Sequence, residues 1–299
     1  MIEKQYDTLI IGPVSLDHNI DFEGREYYET GGAIVQSGYA ASGIGHSTAL
    51  CTKLNPEDVD LERAFEGSGA DLFWKKSAMT TSIRNKYFTP DKETRECTAI
   101  SVCDPFRIEE IPLLKTKLYH LAGLIYGDFS SDLIRQISQR EGKTAVDVQC
   151  LLRRAETDGS MLFRDWPDKK THLVYIDFLK ADAKEAEILT GERDRREAAK
   201  ILHSWGAKEI MITHNTEVLI YNGMEFYTCP IKSRNLSGRT GRGDTCFSGY
   251  ITERLRKDIP SALLFATALV SLKMETAGPF KGKREDVDAY IESFYPECK

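Results

Sequence analysis

Short apolar runs alternate with longer amphipathic stretches along most of the chain. Residues 8–11, Thr-Leu-Ile-Ile, end at Gly12 and carry the pattern of a strand buried on both faces. Residues 47–52, 118–121, 144–148, 173–176 and 209–213 read as further strands of the same kind. Between them, residues 131–140, 182–189 and 194–205 read as helices, and residues 32–44, rich in Ala, Gly and Ser, suit a helix lying close on a sheet. This alternation predicts an α/β fold with a mostly parallel sheet covered by helices on both faces.

Two segments break the alternation. Residues 18–30 and 80–101 are polar, charged and Thr-rich, with turn signals and no helix between their strands. They predict a small antiparallel sheet projecting from the body as a lid. No internal repeat, low-complexity tract or linker divides the chain, so residues 1–299 read as one domain carrying that insertion.

Composition narrows the function classes. Hydrophobic residues make up 41% and charged residues 29% of 299, enough for a core that needs no disulfide or metal staple. A net charge of -6 and a pI near 5.7 argue against nucleic acid or an anionic membrane as a general partner. Seven scattered cysteines without a C-x-x-C pair fit reduced thiols. With no leader-like N-terminus and no apolar run of membrane-spanning length, the expectation is a cytoplasmic protein. Six histidines show no metal-ligand spacing.

The segment Ser237-Gly-Arg-Thr-Gly-Arg-Gly-Asp-Thr-Cys-Phe-Ser-Gly-Tyr250 carries the sharpest chemistry. Gly238, Gly241 and Gly243 precede a helix pattern set by Phe247, Ile251 and Leu255. Such a turn points free N–H groups and the positive helix end at one spot, a site for a phosphoryl group. Asp244 has two readings. It caps the helix, as Asp commonly does, or it is the general base that takes a proton from an attacking hydroxyl beside the phosphoryl group.

Thr240-Gly-Arg-Gly-Asp-Thr245 resembles the C-terminal signature of the ribokinase/PfkB family of carbohydrate kinases, D-T-x-G-A-G-D-x-F. The resemblance runs along essentially the whole chain. It implies a ribokinase-like three-layer sandwich with a β lid, Asp244 as base, and an anion hole formed by the amides of Gly241, Arg242, Gly243 and Asp244. Asp17 matches the family's hydroxyl-binding Asp, and Gly31-Gly32 with Gln36 resembles G-G-x-x-x-N. Asp182-Ala-Lys-Glu185 resembles N-x-x-E, which implies Glu185 and Asp182 beside Mg2+ and phosphate. Thr213 matches the first residue of a nucleotide-contacting T-x-G turn, and Gly278 falls on the adenine side. Plain alternatives stand beside these: a turn for the glycines, a solvated loop for Asp17 and a solvated helix start for Asp182 and Glu185.

Departures from the signature matter as well. Gly238 replaces an Asp that helps hold a monovalent cation in many relatives, Arg242 replaces Ala and Cys246 replaces Phe. Arg239 and Arg242 either add positive charge at the phosphates or point to solvent. The G-R-G-D-T-C variant and Phe163-Arg-Asp-Trp166 look most like bacterial inositol kinases, with Arg164 and Asp165 either touching substrate or anchoring a loop. The resemblance therefore implies ATP and Mg2+ as cofactors, a sugar or polyol substrate, and a homodimer through the lid. A nucleoside kinase, with Tyr27, Tyr28 and Tyr87 gripping a base, and a non-catalytic sugar-binding regulator are the competing readings.

Overall fold

The computed structural model describes residues 4–90 and 94–298. Its main elements, in chain order, are β1 (Thr8–Ile11), β2 (Ser15–Ile20), β3 (Glu26–Gly31), α1 (Ala33–Gly43), β4 (Thr48–Leu54), β5 (Asp71–Lys76), β6 (Ser82–Tyr87) and β7 (Arg95–Ser101). There follow β8 (Leu118–Leu121), α2 (Ser131–Ser138), β9 (Lys143–Asp147), β10 (Phe178–Asp182), α3 (Ala183–Thr190), α4 (Arg195–Ser204) and β11 (Glu209–Thr213). The chain closes with β12 (Glu217–Tyr221), β13 (Phe226–Pro230), α5 (Arg242–Glu253), α6 (Ile259–Lys273) and α7 (Arg284–Phe294).

Among the described residues, nine strands form one sheet in the order β13-β12-β11-β10-β9-β8-β1-β4-β5. The strands from β11 to β5 pair in parallel, and β12 and β13 add an antiparallel edge. Successive side chains of a strand face opposite ways. Leu9, Ile11, Tyr119 and Leu121 therefore pack with α2, α3 and α4. Leu118, Ala145, Phe178 and Met211 pack on the other face with α5, α6 and α7. The result is a three-layer sandwich in which the central strands β1 and β8 are buried along their whole length, which is why they read as short apolar runs.

A second sheet, ordered β3-β2-β6-β7, holds the two polar segments. β2–β3 and β6–β7 are antiparallel hairpins, joined by a parallel pairing of His18, Asn19 and Ile20 with Arg84, Asn85 and Lys86. Asp91, Lys92 and Glu93 of the segment expected at 80–101 lie outside the described residues.

Sequence pattern misplaced one strand. Leu173–Tyr175 is a 3-10 turn, and the strand is Phe178–Asp182 immediately after it. Leu173 and Ile176 are apolar because they fill the core against α2 and α4, not because they pair in a sheet. Lys180 and Asp182 hid the real strand, because its C-terminal end faces a polar cleft. The hairpin of β12 and β13 and the edge strand β5 were also missing from the sequence reading.

Candidate active site

Beyond the C-terminal ends of the parallel strands lies a cleft of about 540 Å³, the usual place for a ligand in an open α/β sheet. The small sheet contributes Asp17, Glu29, Asn85 and Arg95 to its wall, and the segment from Ser237 to Asp244 contributes another side. Gly31, Gly32, Gln36, Asp182, Glu185, Thr213, Arg239, Gly241, Arg242, Gly243, Asp244 and Gly278 all border this one cleft. The structure thus brings together residues spread over 260 positions of sequence. Tyr27, Tyr28 and Tyr87 do not border it; Tyr28 stacks on His18 at 4.8 Å and Tyr87 lies under the Arg95 guanidinium, so neither is arranged to sandwich a base.

The glycine-rich turn feeds directly into α5. Gly241 is its N-cap with φ of 76°, a left-handed conformation that glycine adopts without a Cβ penalty. A Cβ there would also fall 2.3 Å from Gln36 Cδ, so Gln36 presses directly on the turn. No carbonyl among the described residues accepts from the amides of Gly241, Gly243 or Asp244, and Arg242 N reaches Arg239 O only at 3.4 Å. These are amides of a helix start that no carbonyl takes, the Asp244 amide turning to its own carboxylate, and they carry the positive end of the helix dipole. Asp244 is the third residue of the helix and not its cap, because Gly241 holds that place with no side-chain hydrogen bond.

Asp244 is half-buried at the cleft, and burial together with the nearby Asp147 carboxylate pushes its carboxyl up to about 6. Lys180 and Lys273 pull in the other direction. Lys180 lies opposite Gly243, where its Nζ forms ion pairs with Asp147 Oδ2 at 2.9 Å and Glu185 Oε2 at 3.6 Å. Burial works against its charge, but Asp147, Glu185, Asp182 and Asp244 hold it well above the ordinary lysine value. Burial pushes Glu185 up, with Lys180 opposing. Asp182 and Glu185 form a capping box on α3: Asp182 N donates to Glu185 Oε2 and Glu185 N to Asp182 Oδ1, both at 2.7 Å.

Carboxylate oxygens are the donors Mg2+ takes, completed by water and phosphate. With Glu185 Oε2 and Asp182 Oδ1 held by the capping box, the second oxygen of each carboxyl is the donor these cleft residues would offer a hydrated Mg2+. Among the described residues, no three His, Cys, Asp or Glu side chains converge to grip a metal by themselves.

A family model described as "pfkB family carbohydrate kinase" matches residues 106–283, more than half of the chain. The chain belongs to the PfkB family of carbohydrate kinases. These are phosphotransferases acting on sugars, cyclitols or nucleosides, and the sandwich with its small sheet is the family's ribokinase-like fold. A solved structure described as a pyrophosphate-dependent kinase in the ribokinase family, complexed with a pyrophosphate analog and myo-inositol, is 35% identical. It covers 94% of this chain and 99% of that one, with a TM-score of 0.86. A cytidine kinase of Thermococcus kodakarensis is 26% identical over 82% of this chain and 87% of its own. An Arabidopsis thaliana ribokinase complexed with ribose and ATP shares the fold at a TM-score of 0.75 and 14% identity, covering 97% of this chain and 99% of its own.

Several residues that border the cleft of this PfkB kinase escaped sequence reasoning. Asp17 sits with two arginines, Arg95 and Arg153. Burial pushes its carboxyl up to about 6 against the pull of both, and its Oδ1 is buried without a hydrogen-bond partner. Arg153 is 6% exposed, borders the cleft and makes no ion pair within 4.0 Å with a carboxylate among the described residues. Asn85 and Gln149 border the same space. Asp147 and Lys180 face each other in strand register at the C-terminal ends of β9 and β10, and that strand-end position was the available signal. By contrast, Arg164 binds Glu156 at 2.8 Å and Asp165 binds Lys169 outside the cleft, which settles both as loop anchors around buried Trp166.

Proposed function

We propose that this kinase transfers a phosphoryl group from a pyrophosphate-type donor to a hydroxyl of a cyclitol of the myo-inositol class, with Asp244 as the base. Asp17, Gln36, Asn85, Gln149, Arg95 and Arg153 bind the acceptor's hydroxyls near the Gly31-Gly32 turn. Their polar, nearly aromatic-free surroundings suit a polyol better than a nucleobase. Asp244 removes the acceptor proton as the acceptor oxygen bonds to phosphorus and the bridging P–O bond of the donor breaks. The amides of Gly241, Arg242, Gly243 and Asp244 hold the developing charge. Asp182 and Glu185 would hold a hydrated Mg2+, which would neutralise charge on the donor. The small sheet acts as a lid that keeps water from competing as acceptor.

One observation carries the choice of donor. Arg242, standing where the signature has Ala, sends its guanidinium to Asn215 Oδ1 at 2.6 Å. It thereby ties the anion-hole turn to the turn after Thr213 that a nucleotide is expected to contact. With Arg239 it sets two guanidinium-bearing residues on the donor side of the cleft, opposite the Lys180 ion pairs, an arrangement suited to a compact inorganic donor. The similarity to the pyrophosphate-dependent relative supports this reading. ATP is the second reading, favoured by Thr213 and Gly278 on the same cleft.

Product formation from pyrophosphate and from ATP, each tried with inositols, sugars and cytidine, tests both halves. The expected result is turnover of an inositol with pyrophosphate, and a shift toward ATP in Arg242→Ala. Turnover with ATP alone overturns the donor, and preference for cytidine overturns the acceptor.

A further inference from the structure

Behind the anion-hole turn sits a lysine that the phosphoryl-transfer scheme does not use. Lys273 ends α6, is 2% exposed, and makes no ion pair within 4.0 Å with a carboxylate among the described residues. Its Nζ donates instead to two backbone carbonyls of the turn, Gly238 O at 2.6 Å and Thr240 O. The turn is fastened to the same helix end by Gly238 N donating to Met274 O at 2.7 Å. A Cβ on Gly238 would lie 1.8 Å from Thr276 O, so no larger residue fits there without moving the helix end.

This arrangement has a direct physical reading. Burying an ammonium without a carboxylate is costly unless its protons are taken by acceptors and its charge serves a nearby anion. The carbonyls of Gly238 and Thr240 point at the ammonium, and because the C=O and N–H of a trans peptide point opposite ways, the Gly241 amide faces away from it. Asp244 and, after it, Glu29 are the carboxylates that interact with the Lys273 charge through space. An ammonium that ligates carbonyls has the same role as a bound monovalent cation, except that it is covalently tethered.

We infer that Lys273 is a positioning residue that serves as a built-in monovalent cation, holding the 238–241 turn in its anion-binding shape and making turnover independent of added potassium or ammonium ions. The inference rests on the reading of that turn as the donor's anion hole. It adds that the turn's shape depends on a cation, and that the chain supplies it.

The test compares the full-length protein with Lys273→Ala and with Lys273→Met, which keeps an apolar stem. Turnover is followed in sodium, potassium, ammonium and methylammonium chlorides at one ionic strength. Pyrophosphate and ATP binding are read separately by thermal shift, without acceptor. Wild-type turnover is expected to change less than about twofold among the salts. Lys273→Ala is expected to lose about a hundredfold in kcat, weaken the donor-induced thermal shift, and regain at least about tenfold with ammonium or methylammonium but not sodium. Activation of the wild type by potassium overturns the inference whatever the variants do, as does a folded variant with full activity or one whose loss no cation relieves. If neither donor turns over but the thermal shift is lost in the variants and restored by ammonium, the transfer reading fails while this one stands.

Discussion

At the scale of single residues, the central group is Asp244. Its folded-state value of about 6 lies above the ordinary carboxylate range, because the site makes the ionised form costly. A base must be ionised, so kcat is expected to fall as pH drops through about 6, and a pH–rate profile checks this. The sign for stability is opposite. A carboxyl whose folded value is raised loses stability as pH rises from its unfolded value, about 4, through about 6. Asp244→Asn is therefore expected to melt above the wild type at pH 7 and to match it near pH 3, in thermal melts at both. Arg153→Met should raise KM for the acceptor by about tenfold or more while leaving donor binding unchanged, because Arg153 borders the cleft beside Asp17, where we propose that the acceptor binds. The glycines and Asp244 were legible because they act within a few consecutive residues. Arg95, Arg153 and Lys180 were not, because only the folded sheets bring them to Asp17 and Asp147.

At the scale of elements, the sandwich was legible wherever a strand is apolar on both faces, as in β1 and β8. It was illegible where a strand end serves the cleft, as at Lys180 and Asp182 of β10. The far end of α5 shows how the helix that bears Asp244 is held. His46 is buried between Asp7 at 3.2 Å and Glu253 at 2.8 Å, and Arg284 and Lys257 also pair with Glu253. The network ties the last turn of α5 to the chain before β1, to the loop after α1 and to α7. His46→Ala leaves both carboxylates short of a buried partner. It is expected to lower unfolding free energy by about 2–4 kcal/mol in urea titration, with a small effect on acceptor KM.

At the scale of the whole molecule, the small sheet and the body share one cleft. The hairpin of Arg153–Ala155 and Met161–Phe163 reaches from the body to the small sheet, where Ala99 N donates to Gly159 O at 2.8 Å. The hairpin that begins at Arg153 thus bridges to the small sheet beside the cleft. Bound acceptor and donor are expected to slow amide exchange in β6 and β7 as well as at the start of α5, measured by hydrogen exchange with and without both ligands. Exchange slowed at α5 alone would mean that the small sheet is not a lid. The same sheet leaves Tyr28 and Ile100 exposed. A homodimer formed through it predicts a solution mass of twice 33.8 kDa by light scattering, and a monomer when both are replaced by Lys.

The account stands on a carboxylate that takes a proton beside a row of helix-start amides. The most direct measurement is single-turnover phosphorylation of an inositol by Asp244→Asn, with donor binding followed in parallel. The prediction is a loss of roughly two to four orders of magnitude in rate with donor affinity kept or improved. A rate within a few fold of the wild type would place the base elsewhere and contradict the account.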